Sequence, residues 1–597
     1  MKKSSVCFLS MAVLLVLLRP LRSFECPEYM RRRYDYIIVG SGSAGTVLAA
    51  RLSENPDHRV LLVEAGESDR ERKETPYIDI PALYPLLVNS SVDWGYYSVP
   101  QRFSGYAFNN RQFPLPQGKV SGGTFSINRM IYQRGSRHIY DYWASSGATG
   151  WSFREILKYF RRSEDISVPE LARSTYHEQC GPLRVSRLPP SPLLSLYLKG
   201  ANSLGYRTIN CNEGIDVGVC RIHTNIKFGE RWNTLKGFIR PALGRRNLDM
   251  VTDAHVSKVL ISNRRAQGIE FIHRGISFSV QTDKEVILTA GTYGSPAILI
   301  RSGIGPADQL QRLQVPPISL IPVGESLQDH PTVNIRVLLK APTIKPHAIA
   351  DQVKNNQYLF QRTGLLAELR GTEALLTLQS DPTSIIAYPD LQITFTSALG
   401  DHDPMIDFVG NKNLSFIKSW YSIARGQDGV TMNIKLLHPV SRGSLKLNSV
   451  DPRVPPVIDP AYLSNPEDIR VLIKGIRKVQ DLIKTPSFQE VQASFGPSFS
   501  GCLHLARDSD AYWECYIRHF MEPGHNPVST NKMGSVNDGS TVVGPDLKVK
   551  GIIGLRVADA SIIPEITDYT NAATIMVAEK AADIIKSEAK IPLPPVP

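Results

Sequence analysis

Residues 36–45 read Tyr-Ile-Ile-Val-Gly-Ser-Gly-Ser-Ala-Gly, and few folds accommodate that order. Ile37 to Val39 read as a buried strand, and Gly40 permits a tight turn out of it. Gly42 lets backbone approach a pyrophosphate with no side chain in the way, while Gly45 lets the next helix, running through Arg51, pack closely on the sheet. Ser43 and Ala44 open that helix, whose unpaired N–H groups and positive dipole end suit phosphates. A second apolar run at Val60 to Val63 ends in Glu64, placed to accept hydrogen bonds from a ribose diol. A glycine-rich turn alone is weak evidence, but strand, turn, helix, strand and terminal acid in sequence predict a dinucleotide-binding α/β lobe.

The chain of 597 residues exceeds the roughly 250–300 at which single cores stop growing, so at least two lobes are expected. Apolar content of 42% and charged content of 21% fit a globular protein and exclude a disordered one. The net charge of +12 is dispersed, with its densest cluster at Arg31, Arg32 and Arg33, which argues against nucleic-acid binding and leaves acidic surfaces as partners. Lys2 and Lys3 precede an apolar run over 6–18 and a cleavage region near Ser23, so residues 1–23 read as a secretory signal. That run falls short of the roughly 20 residues that span a bilayer, so no stable membrane span is expected. The mature chain is expected to be secreted, extracellular or in the lumen of the secretory pathway. Six cysteines then remain, Cys26, Cys180, Cys211, Cys220, Cys502 and Cys515, without metal-type spacing. Disulfides are expected rather than a metal site, with Cys211/Cys220 and Cys502/Cys515 as the plausible local pairs. Sequons at Asn89 and Asn413 fit a secreted glycoprotein.

A second glycine-rich run occupies residues 118–128 and contains Gly122, Gly123 and Asn128. Residues 291–299, Gly-Thr-Tyr-Gly-Ser-Pro-Ala-Ile-Leu, lead to Ser302-Gly303-Ile304-Gly305, and shorter matches include Leu327-Gln328-Asp329-His330-Pro331 and Val557-Ala558-Asp559-Ala560-Ser561. Together these resemble the glucose-methanol-choline (GMC) oxidoreductases, FAD flavoproteins that oxidise alcohols, and the resemblance runs from Tyr34 to Lys586. It implies a discontinuous Rossmann-type FAD lobe from residues 34–331 and 525–588, and an α+β substrate lobe over 332–524 built on an antiparallel sheet. It also implies cofactor contacts at Gly122, Gly123 and Asn128, at Val256 beside the adenine, and at the turn Asp559-Ala560. Residues 572–585 have helical composition, with Thr570-Asn571 suited to the N-cap. In the family that helix points its N-terminus, here Asn571 and Ala572, at the flavin, where it would stabilise the reduced form by about 0.3–2 kcal/mol.

The chemical end departs from the family. Its proton-accepting histidine directly precedes a Pro-Val segment, and here Asn526 precedes Pro527-Val528. Asparagine can hydrogen-bond a hydroxyl but cannot take its proton. His525, one position earlier and after the permissive Gly524, is either a displaced base or a surface loop residue. Tyr569 stands where the family has a second Asn or His, able to orient an alcohol, or to act as a base were its pKa lowered from about 10. Asp568 is either a base in an apolar pocket or, by default, an exposed turn residue. Phe125 replaces a small hydroxyl residue that could contact the cofactor, and Arg129 replaces Gly or Ala.

The resemblance, strongest to the insect glucose-dehydrogenase-like branch, implies oxidation of the CH–OH group of a small-molecule alcohol: a sugar, a steroid or a retinoid-like lipid. A quinone-like compound or O2 would be the electron acceptor. Two alternatives stay open: a flavin-binding relative that has lost turnover and serves in binding or regulation, and a specialised hydroxyretinoid oxidoreductase.

Overall fold

The computed structural model describes residues 30–69, 75–214, 217–345, 348–349, 357–381, 383, 388–399, 410–413 and 426–589. The signal segment, Cys26 and the end of the second sequon lie outside them. The first lobe begins with β1 (Arg33–Val39), α1 (Ser43–Leu52) and β2 (Val60–Val63). It continues with β3 (Leu248–Val251), β4 (Ala254–Ser262), β5 (Arg265–His273), β6 (Ile276–Leu288) and α2 (Gly291–Arg301). The sheet order is β3-β2-β1-β6-β5-β4, parallel from β3 to the end of β6 and antiparallel through β6, β5 and β4. Tyr34 to Val39 are all buried, which explains the unbroken apolar run of a strand covered on both faces. Gly40 has φ +104°, and a Cβ there would lie 2.5 Å from the Thr289 carbonyl oxygen; a Cβ on Gly45 would lie 1.8 Å from that of Gly40. Helix α1 therefore crosses its own strand turn at a distance only glycine allows.

The second lobe is an antiparallel sheet of β7 (Pro331–Leu338), β8 (Thr372–Leu378), β9 (Leu391–Thr396) and β10 (Gly429–Leu436), in the order β7-β10-β9-β8. The strand Gly218–Arg221 extends it at β8, so this sheet also takes a strand from residues that the sequence places in the first lobe. One face carries Val333 and Ile335, Ile393 and Phe395, Met432 and Ile434, all buried. Helix α3 (Pro466–Ile483) lies on this face so closely that a Cβ on Gly475 would be 2.6 Å from Ile434. The period of two then turns Thr332, Asn334, Thr394, Thr396, Thr431, Asn433 and Lys435 to the opposite face, towards the first lobe.

The chain returns through β11 (Leu555–Val557), parallel to β6, and α4 (Thr570–Glu588), which packs on α1. Here the sequence reading needs a correction: the N-cap is Tyr569, Thr570 and Asn571 already lie in the first turn, and no side chain caps it. The fully buried Glu579 of α4 pairs with Arg51 at 2.9 Å and Arg162 at 2.7 Å and accepts a bond from Ser163 Oγ at 2.8 Å, tying three helices together. Both expected local disulfides, Cys211–Cys220 and Cys502–Cys515, are formed, and Cys180 is exposed and unpaired. No described helix is long and apolar enough to cross a membrane. Glu579→Ala leaves two arginines facing each other without their shared anion, and is expected to cost about 3 kcal/mol in denaturant unfolding; a change below about 1 kcal/mol would show that water replaces the carboxylate.

Candidate active site

A cavity of about 550 Å³ separates the first lobe from the polar face of the second sheet. At one end the two glycine runs meet backbone to backbone: Gly123 has φ +55°, and a Cβ on it would lie 2.7 Å from Gly42 Cα. A Cβ on Gly42 would meet only Gly123 Cα, at 3.9 Å, so its other side opens on the cavity. Ser43, Ala44 and Val256 line the same end, while Gly45, Gly122 and the buried Ala572 stand behind the wall. Glu64 accepts from Ser41 N and Ser41 Oγ, both at 2.8 Å, and from Gly66 N at 2.9 Å. Burial pushes its carboxyl up and these bonds oppose the shift. Glu64 thus braces the turn and keeps lone pairs for a ribose.

Farther along, Asn571 Oδ1 accepts from Ser43 Oγ at 2.6 Å, and its buried Nδ2 has no partner among the described residues. An amide donor left over on the cavity wall suits an acceptor on a bound group. Acid, bare backbone and orphaned amide in one file fit FAD. Asp559 and Ala560 both line the cavity; the Asp559 carboxylate accepts from Gly291 N, Ser295 Oγ, Ser561 N and Ser561 Oγ at 2.5–2.9 Å and so shapes the turn. Asn128 lines the cavity, but its Oδ1 already accepts from Met130 N at 2.9 Å and Arg231 at 3.1 Å. Phe125 is fully buried and is not part of the cavity lining.

The reacting end hangs from residues 327–330. Buried Asp329 accepts from Asn526 N at 2.7 Å, His330 N at 2.9 Å and Tyr462 Oη at 2.5 Å. Gln328 exchanges backbone bonds with Val528 and holds Pro564 O and Ile566 N through its side chain, each at 3.1 Å. Both segments that bear the candidate catalytic residues are thereby fixed to one stretch of chain. His525 adopts φ +56°, a left-handed conformation that costs a non-glycine residue about 1 kcal/mol and rotates its imidazole into the cavity. The ring is exposed, but to the cavity interior. Burial within the protein pushes its proton affinity below the ordinary value of 6.5; Asp329 and Glu522 oppose this, and Arg129 and Lys435 add to it. A neutral imidazole at neutral pH follows.

Asn526 turns Oδ1 towards His330 Nδ1 at 3.3 Å and Lys435 Nζ at 3.5 Å. The Lys435 ammonium lies 3.4 Å from the centroid of the Tyr569 ring, which also lines the cavity. Asp568 is neither of the things its sequence suggests: it is buried, and its Oδ2 accepts from Gln133 Nε2 at 2.9 Å. Sequence reasoning passed over Lys435 and the hydroxyl- and amide-bearing sheet face. The polar period of two in β7, β9 and β10 was the signal that could have found them.

Comparison with known proteins agrees with this arrangement. The two GMC oxidoreductase family models match residues 34–332 and 439–578. Glucose dehydrogenase (FAD, quinone) of Drosophila melanogaster is 32% identical over 94% of this chain and 87% of its own. Human mitochondrial choline dehydrogenase is 34% identical over 94% and 90%. Among solved structures, pyridoxine 4-oxidase from Mesorbium loti superposes with a TM-score of 0.78 at 27% identity, covering 93% of this chain and 99% of that one.

Two glycine substitutions separate folding from cofactor binding. Gly42→Ala has room for its methyl within the protein, so it is expected to fold normally and to lose FAD affinity about tenfold or more, read by flavin fluorescence on dilution. Gly45→Ala drives a methyl into the Gly40 carbonyl and is expected to leave no soluble folded protein. Equal FAD retention by wild type and Gly42→Ala would contradict the assignment of this turn.

Proposed function

The chain belongs to the GMC oxidoreductase family, and from that premise we propose that it oxidises the CH–OH group of a small polar alcohol with His525 as the proton acceptor. When bound, FAD supplies the two-electron acceptor that takes the carbinol hydrogen as hydride. The observation that carries the proposal is the His525 imidazole, turned into the cavity wall beside Asn526 by a left-handed backbone. A neutral imidazole takes the hydroxyl proton, which Asn526 at the family position cannot. Asn526 contributes a hydrogen-bonding amide, and the nearby Lys435 ammonium stabilises negative charge developing on the alcohol oxygen. The Thr and Asn side chains on the sheet favour a hydroxylated substrate over the steroid or retinoid-like ones. A quinone-like acceptor or O2 then reoxidises the flavin. The N-terminal apolar run and the two disulfides support secretion as part of this reading.

The reading without turnover draws on Asn526 at the usual base position, and one experiment separates the two. Holoprotein mixed anaerobically with a panel of alcohols is expected to lose its visible flavin absorbance with at least one of them. His525→Ala is expected to slow that loss by about 10²–10⁴-fold with FAD content unchanged. Retained flavin that no alcohol bleaches would favour a binding or regulatory protein, and an unimpaired His525→Ala variant would remove His525 from the chemistry.

A further inference from the structure

The charges that face the substrate end of the cavity are unbalanced. Among the described residues lining the cavity, Glu64, Asp559 and Glu522 are the carboxylates. Glu64 and Asp559 belong to the nucleotide end, and Glu522 is paired with Lys412 at 2.7 Å. Arg129 and Lys435 also line the cavity and have no carboxylate among the described residues within ion-pair distance. Arg129 donates to Thr372 Oγ1 at 3.1 Å and faces the Tyr84 ring; it is exposed, but only into the cavity. Buried Lys435 has only the Asn526 amide oxygen, the Asp568 carbonyl at 3.3 Å and the Tyr569 ring. Neutral acceptors do not cancel a buried positive charge, so an anion placed beside it would be attracted.

The position of the two cations says which anion. Arg129 reaches β8 and Lys435 belongs to β10, so both stand on the sheet side, away from the glycine turn that suits a pyrophosphate. They flank the reacting end: both act electrostatically on His525, and Lys435 covers Tyr569. Thr394 Oγ1, buried on the same wall, has no partner among the described residues and is placed to bind a hydroxyl of the same molecule. Resting on the alcohol-oxidising reading above, we propose that the substrate is a hydroxy acid, its carboxylate held by Arg129 and Lys435 while its carbinol meets His525. The planar guanidinium matches the two oxygens of a carboxylate, and the ammonium adds a second donor. In the reaction the carbinol C–H bond breaks with its electron pair passing to FAD, the O–H proton goes to His525, and a C=O bond forms; the carboxylate is unchanged.

The test uses FAD-loaded protein and matched pairs, glucuronate with glucose and lactate with propane-1,2-diol, in calorimetric titration and in anaerobic flavin bleaching. The acid of at least one pair is expected to bind about thirtyfold or more tightly than its neutral partner, and to bleach the flavin faster at equal concentration. Arg129→Met and, independently, Lys435→Met are each expected to weaken acid binding by about thirtyfold or more, with Arg129→Lys recovering part of the loss. Acids that bind with this dependence but do not bleach the flavin would uphold the anion site and sink the oxidase reading. Neutral alcohols that bleach the flavin while acids neither bind nor react would do the reverse. Acid binding unchanged in both Met variants, or glucose 6-phosphate bound more tightly than glucuronate, would overturn the carboxylate assignment.

Discussion

The buried carboxylate of Asp329 governs the reacting end. It accepts the backbone N–H of Asn526, the N–H of His330 and the phenol of Tyr462, while Gln328 beside it grips the segment that leads into Tyr569. Two loops far apart in sequence are thereby held to one strand entrance, directly before the polar sheet begins at Pro331. These three bonds satisfy a carboxylate that is itself buried. Burial pushes its carboxyl up, and the nearby His525 opposes the shift, so acid and imidazole are coupled through the geometry that Asp329 itself imposes.

This arrangement explains how the chain tolerates asparagine where its family has a base. The left-handed turn at His525 brings an imidazole to the cavity from one position earlier; burial lowers its proton affinity, Asp329 and Glu522 oppose that, and Arg129 and Lys435 add to it. Under the proposed reading, the same two cations that act against a protonated His525 would attract an anionic substrate. One electrostatic feature thus bears on both the base and the choice of alcohol.

The glycine turn was legible in the sequence because its constraints are local: a positive φ at Gly40 and a forbidden methyl at Gly45 are properties of neighbouring residues. The alternation of β7 and β10 was equally local, but which of its faces meets the cofactor lobe depends on where α3 packs, and no window of sequence contains that. Lys435, which lines the cavity from that sheet, was therefore missed. The burial of Asp568 was missed for the same reason, since motif position says which residue stands near a site and not which way its side chain turns. Asp559 was recognised by its motif, and the structure adds that its carboxylate holds α2 and the following turn while the residue lines the cavity.

The account turns on His525 as a base that works from its neutral form, which makes pH the most direct probe. The measurement is the rate of anaerobic flavin reduction by one reactive alcohol against pH, in wild type and in His525→Gln. Protonation of an imidazole whose affinity lies below 6.5 predicts a rate that stays level down to that value and then falls with one proton. In His525→Gln that acid limb is predicted to vanish, leaving a slow rate without it. A wild-type limb above 6.5, or the same limb in both proteins, would contradict the account.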